Sequence, residues 1–175
     1  MKAVTMRRDA RRMTLFLADD SRTITERLTT LLAQVADVEV IGKATDVPAA
    51  VRGIQTLEPD AVITDLHMPG GTGIDVIGAA KRLRSTTRVI VLTNSSLPEY
   101  RAKCQEAGAD RFFDKSAEFD RVPKALLELS EELRQTRAAE QGPVAKAGSR
   151  PSPPRENRKP ADCHRSRVRR SRPVL

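Results

Sequence analysis

The chain has 175 residues, 39% hydrophobic and 31% charged, with 3% aromatic and no tryptophan, so aliphatic side chains must fill any core. That length suits one domain of about 100–150 residues plus extensions. The net charge of +8 resides at the ends: residues 1–13 carry +4 and residues 141–175 carry +8, whereas residues 14–140 carry −4. Cys104 and Cys163 form no ligand-like spacing, which argues against a disulfide framework or a zinc site. No apolar run approaches the roughly 18 residues of a membrane span, and none follows Arg7, Arg8, Arg11 and Arg12 as a signal core would. Secretion and membrane insertion are not expected, and the expected location is cytoplasmic.

In chain order, residues 1–13 read as a disordered basic arm. Thr14–Ala18 is the first strand candidate, an apolar run that ends on Asp19 and Asp20. A helix pattern follows, with Ser21 as a cap and Ile24, Leu28, Leu31, Leu32 and Val35 on one face. Val38–Lys43 is the second strand, and Val47, Ala50, Val51, Ile54 and Leu57 mark a second helix that Pro59 stops. Ala61–Thr64 is a third strand, ending on Asp65. The third helix runs from about Gly73 to Arg84 and is expected to bury Ile74, Ile77 and Leu83. Arg88–Thr93 is the fourth strand, and a helix after Pro98 closes on Gly108 as its C′ glycine. Arg111–Phe113 is the fifth strand, and Phe119, Val122, Leu126, Leu129 and Leu133 set the rhythm of the last helix.

Five strands alternating with five helices predict an α/β domain over residues 14–137. Its sheet is parallel and covered by helices on both faces, with right-handed crossovers. Residues 138–175 are rich in Pro, Ser, Arg and Lys and carry too few apolar side chains to offset chain entropy, so they read as a disordered basic tail. The tail is too short and too poorly patterned to be a helix-turn-helix output domain.

In open α/β sheets, chemistry sits beyond the carboxyl ends of the strands. There this chain places Asp19, Asp20 and Asp65, with the Thr93 hydroxyl after the fourth strand and the Lys115 amine after the fifth. Three carboxylates in one crevice repel one another unless a hard divalent cation lies among them, and Mg²⁺ is the natural occupant. A carboxylate can accept a phosphoryl group covalently, while a hydroxyl and an amine offset charge on its oxygens. The cluster therefore points to a phosphate-handling site.

These residues resemble the receiver domains of two-component response regulators. The likeness rests on Asp19-Asp20, on Asp65 within Asp65-Leu-His-Met-Pro-Gly70, on Thr93, and on Lys115 after Gly108-Ala-Asp-Arg-Phe-Phe113. It covers residues 14 to about 137. The resemblance implies the flavodoxin-like sheet order 2-1-3-4-5. It implies that Asp65 accepts phosphate from a sensor histidine kinase or a histidine phosphotransfer protein. Asp20 and Asp65 would ligate Mg²⁺, Asp19 would act largely through water, and the His67 main-chain carbonyl would complete the ligands. Thr93 and Lys115 would bind the phosphoryl oxygens. Thr93 and Phe112 would form the switch that reshapes the face of the fourth helix, fifth strand and fifth helix toward a downstream protein target. Such a chain is a stand-alone, single-domain regulator with chemistry confined to its own phosphorylation and dephosphorylation, rather than a metabolic enzyme.

Two positions depart from the family pattern. Ser116 follows Lys115 where proline is usual, so either the bond is trans with an adjusted loop or a cis bond is held at a cost of about 2.5–4 kcal/mol. Asn94 stands where a small residue is common and would affect the water that hydrolyses the acyl phosphate.

The remaining features read more plainly. The His67 side chain and Tyr100 are expected to be exposed, and Phe112 and Phe113 to point to opposite sheet faces. Gly70-Gly71-Thr72-Gly73 lacks the Lys-Ser/Thr of a phosphate loop and reads as a flexible connection. Cys163-His164 has no metal partners nearby. The basic tail gives an alternative function, a nucleic-acid-associated regulator whose tail is the output, although it has no aromatic residue for base stacking. An enzyme of the haloacid-phosphatase type fits poorly, because His67 stands where a second Asp would be favoured.

Overall fold

The computed structural model describes residues 12–140. The expectations for most of the basic arm and for the tail beyond Glu140 lie outside the described residues. Within them the chain alternates β1 (Met13–Ala18), α1 (Arg22–Leu32), β2 (Val38–Ala44), α2 (Val47–Leu57), β3 (Ala61–Thr64), α3 (Gly73–Leu83), β4 (Arg88–Thr93), α4 (Pro98–Glu106), β5 (Arg111–Asp114) and α5 (Val122–Glu140). The five strands form one sheet in the order β2-β1-β3-β4-β5. Every pair in it is parallel. The fold class is that anticipated from the residues, and the sheet order is that implied by the family resemblance.

The strands are apolar throughout because both faces of the sheet are covered. Alternate side chains serve different layers. Leu15, Leu17, Ile63, Ile90 and Leu92 pack with Leu28 and Leu32 of α1 and Val122, Leu126, Leu129 and Leu133 of α5. Phe16, Val62, Val89, Val91 and Phe112 pack with Ile54 of α2, Val76 and Ile77 of α3, and Cys104 of α4. Each fully buried aliphatic side chain contributes about 1.5–3 kcal/mol of burial energy. Phe112 and Phe113 do lie on opposite faces, the first in one layer and the second against the other.

Local chemistry starts and stops the helices. The Ser21 hydroxyl accepts from the Ile24 N–H at 3.4 Å, and the Asp46 carboxylate accepts from the Ala49 N–H at 2.8 Å. The Asp75 carboxylate accepts from both the N–H and the hydroxyl of Thr72 at 2.8 Å, opening α3 and holding the Asp75 carboxyl below its usual range. Glu58, before Pro59, ends α2 in the left-handed region at φ 45°, and Gly108 follows α4 at φ 106°.

Four details differ from the sequence pattern. α1 stops at Leu32, and Val35 is buried in the turn beyond it, its N–H bonded to the Leu32 carbonyl. Leu83 is 39% exposed at the end of α3, since the small residues Ala79 and Ala80 with Val76 and Ile77 make the buried face. Phe119 lies in a 3₁₀ turn, Phe119–Arg121, ahead of α5. At the domain ends, β1 begins at Met13 and α5 runs to Glu140.

Candidate functional site

The parallel ladders run one residue past the strand ends, and this fixes the site residues at one edge. The Asp19 N–H donates to the Ala44 carbonyl at 3.0 Å, and the Asp65 N–H to the Ala18 carbonyl at 2.9 Å. The Lys115 N–H donates to the Thr93 carbonyl at 2.9 Å. Asp19, Asp65 and Lys115 are thus positioned by sheet backbone rather than by mobile loops.

Their side chains converge. Lys115 Nζ donates to Asp19 Oδ2 at 2.7 Å and to Asp65 Oδ2 at 2.6 Å. One carboxylate oxygen from each of Asp19, Asp20 and Asp65 lies within 4.8 Å of the others, with Asp19 and Asp65 buried and Asp20 exposed. Asp19 Oδ1 also accepts from the Ser21 N–H at 2.9 Å, and Asp65 Oδ1 from the Leu66 N–H at 2.6 Å and the His67 N–H at 3.4 Å. Two acids therefore share one ammonium, with a third carboxylate beside them.

The proton affinities follow. Burial pushes the Asp19 carboxyl above its ordinary range, outweighing the hydrogen bond from Lys115. Burial pulls the Lys115 ammonium down, but its hydrogen bonds to Asp19 and Asp65 outweigh this and raise its proton affinity. The site holds surplus negative charge and hard oxygen donors, the chemistry that suits a divalent cation of the Mg²⁺ kind.

Gly73 explains how Asp65 and α3 fit together. A Cβ on Gly73 would lie 2.2 Å from the Asp65 carbonyl oxygen, so only a glycine lets the helix start against the acid's own backbone. The segment between them is not the flexible connection that its glycines suggest. His67–Met68 pairs antiparallel with Gly71–Thr72 in a small hairpin, and the Gly73 N–H donates to the Leu66 carbonyl at 2.9 Å.

Thr93 ends β4 at this same edge, and Asp114 is its register partner on β5. It is fully buried, and its hydroxyl accepts from the Ser95 N–H at 3.2 Å rather than meeting the carboxylates. Phe112 is 6% exposed in the α2, α3 and α4 layer. The His67 side chain is exposed as expected, yet its Nε2 lies 2.9 Å from Ser95 Oγ. Its ring also meets Tyr100 edge-on at 5.7 Å. Tyr100 itself is partly buried against the core rather than a free surface ornament. Its place near the sheet's carboxyl edge brings it within reach of His67, a long-range contact that helical periodicity does not encode.

All peptide bonds among the described residues are trans, including Lys115–Ser116. The loop adjusts through Asp114, whose Oδ1 accepts from the Ser116 N–H at 2.7 Å and the Ala117 N–H at 3.1 Å. Ser116 Oγ reaches Asn94 Oδ1 at 3.5 Å, so the two positions that depart from the family pattern face each other. Ser95 and Asp114 thus join the neighbourhood of the site. A signal for Asp114 is present in the sequence, since an Asp side chain in a loop commonly accepts from the backbone N–H two residues on and so closes such a turn.

Comparison with known proteins agrees with this geometry. The family model "Response regulator receiver domain" matches residues 15–127, more than half of the chain. The transcriptional regulatory protein YvfU of Bacillus subtilis is 34% identical over 112 residues, covering 64% of this chain and 56% of that protein. The chain spans about half the length of the curated relatives it matches. Among solved structures, the receiver domain of the response regulator NarL from Mycobacterium tuberculosis superposes with a TM-score of 0.64 at 27% identity, covering 69% of this chain and 97% of that one. The isolated receiver domain of RcsB from Salmonella enterica serovar Typhimurium, solved with the phosphomimetic BeF3-, gives 0.64 at 29% identity, covering 69% and 89%. The chain therefore belongs to the response regulator receiver domain family, whose members are phosphoacceptor signalling domains rather than enzymes.

Proposed function

We propose that this chain is a cytoplasmic response regulator that accepts a phosphoryl group on Asp65 and signals through protein contacts on its α4-β5-α5 face. The observation that carries the reading is the bridging of Asp19 and Asp65 by Lys115 beside Asp20. In the transfer, an Asp65 carboxylate oxygen attacks the phosphorus of a phosphohistidine on a sensor kinase or phosphotransfer protein. The P–N bond breaks, the imidazole nitrogen keeps the electron pair, and an acyl phosphate forms on Asp65. Asp19, Asp20, Asp65 and the main-chain carbonyl of His67 would hold Mg²⁺, which when bound supplies positive charge against the carboxylates and phosphoryl oxygens. Lys115 would leave the Asp65 oxygen for a phosphoryl oxygen, and the Thr93 hydroxyl would leave the Ser95 N–H to donate to another. Thr93 and Phe112 would then carry the change to α4 and β5.

The test is intact-mass measurement after incubation with Mg²⁺ and acetyl phosphate. The wild type is expected to take up one phosphate and Asp65→Asn none; equal uptake by both refutes the assignment. A second reading draws on the +8 charge of residues 141–175 and on relatives described as transcriptional regulatory proteins. In it the basic tail binds nucleic acid and the receiver modulates it. Loss of nucleic-acid affinity on deleting residues 141–175, with protein-partner binding unchanged, favours that reading. Unchanged partner binding without any nucleic-acid affinity in the full chain favours the first.

A further inference from the structure

α4 is held to the body by few side chains. Cys104 is its one buried residue, whereas α3 buries five. Two neighbouring positions supply much of the remaining hold. Tyr100 packs partly into the core and meets His67. Arg101 reaches across to β5, where its guanidinium carbon lies 4.5 Å from the centroid of the Phe112 ring. Its Nη1 also donates to the Phe112 carbonyl oxygen at 3.3 Å. The ring thus has the core on one side and a half-buried guanidinium on the other.

We propose that Arg101 is the positioning residue for the Phe112 switch. It closes over the ring, holds the aromatic inward before any phosphoryl group arrives, and so sets how much of the switching is left for phosphorylation. The inference rests on the assignment of Phe112 as the switch aromatic. Its physical basis is that the two Arg101 contacts respond differently to ring motion. The bond to the backbone carbonyl survives rotation of the side chain, but the ring contact exists in the inward rotamer alone. A contact made in one state and not the other shifts the equilibrium by its own strength. A cation over an aromatic face at a partly exposed site is worth a population ratio of roughly two- to fivefold. Lysine would keep the charge but lose the flat face and the directed N–H, so it would reproduce part of the effect.

The experiment uses the full 175-residue chain carrying 4-fluorophenylalanine at position 112 alone, read by fluorine NMR with and without beryllofluoride and Mg²⁺. Without beryllofluoride the parent protein is expected to show a dominant buried resonance. Arg101→Ala is expected to raise the exposed-to-buried ratio about two- to fivefold. Beryllofluoride should return the ring inward, and Arg101→Lys should fall between. An unchanged ratio in a folded Arg101→Ala protein overturns the proposal. Should that variant not fold, a ratio in Arg101→Lys equal to the parent's overturns it instead. The same label in Asp65→Asn separates the two readings. An exposed-to-buried ratio that Arg101→Ala raises, but that beryllofluoride with Mg²⁺ does not lower, or lowers equally once Asp65→Asn is added, refutes the phosphoacceptor assignment and leaves the positioning role standing.

Discussion

At the amino edge of the sheet, Asp60 is 5% exposed, and its Oδ2 accepts from the Thr14 N–H and hydroxyl at 3.0 Å each. Its Oδ1 pairs with Arg84 at 3.3 Å and with Arg137 of α5. At the carboxyl edge, Asp19 and Asp65 are buried to a similar degree, at 3% and 7% exposed, yet they share the single cation Lys115, with Asp20 close by. Asp110 belongs with Asp60. It accepts from the Val89 N–H at 2.8 Å and pairs with Lys81 and Arg88 at 2.9 Å. Burial of an acid is therefore not what marks a reactive site in this fold. The mark is a surplus of negative charge and oxygen acceptors over the donors around them. One edge is electrically closed and braces the body; the other carries more acid than its one ammonium balances, the chemistry that suits a divalent cation.

That contrast can be broken at either edge. The largest effect is expected for Asp60→Ala, which takes away the buried acceptor that Arg84, Arg137 and Thr14 share and should cost about 3 kcal/mol in urea unfolding. Uptake of phosphate by the folded fraction should be unaffected. Next, Lys115→Ala leaves Asp19 and Asp65 buried without a cation and should cost about 2–3 kcal/mol in metal-free buffer. Mg²⁺ should restore much of that loss, and a urea midpoint indifferent to Mg²⁺ would contradict an open edge. Asp20→Asn should act in the opposite direction, raising metal-free stability by about 1 kcal/mol through relief of like charges within 4.8 Å of one another. It should also weaken the stabilisation by Mg²⁺.

The smallest effect concerns acid. Burial favours the protonated Asp110, but the Val89 N–H, Lys81 and Arg88 outweigh it and hold the carboxyl below its ordinary 3.8. A lowered folded-state value means that this stability is complete above about pH 4 and is lost as pH falls through the lower folded value. Urea midpoints measured from pH 5 to pH 2 should therefore drop less steeply for Asp110→Asn than for the parent.

The sheet and the acidic edge were legible because they depend on local pattern, whereas the strand order followed from the family resemblance. Apolar runs of strand length end on acids, and the five strand ends of an α/β sheet lie together whatever the helices do. Asp19, Asp20, Asp65 and Lys115 meet as their positions in the chain required. What escaped depends on contacts across long separations or on packing volume. Arg101 over Phe112, His67 against Ser95 and Tyr100, and Arg137 on Asp60 join separate elements by side-chain reach, which no periodicity records. Leu83 matched the apolar rhythm of α3 but lies at the helix end, where the neighbouring surface no longer covers it. The glycines after Asp65 suggested looseness because freedom of the unfolded chain and tightness of the folded one call for the same residue.

Lys115 stands beside a fastening that can be undone by a proton. The Ser96 side chain and the Ser116 and Ala117 N–H groups hold the half-buried Asp114 carboxyl below its ordinary value, so the clip persists at neutral and mildly acid pH and opens in stronger acid. A pyrrolidine ring in this turn would be indifferent to acidity. Here the turn that follows the ammonium bridging Asp19 and Asp65 is closed by an ionisable group, and acid strong enough to protonate it is expected to loosen that turn.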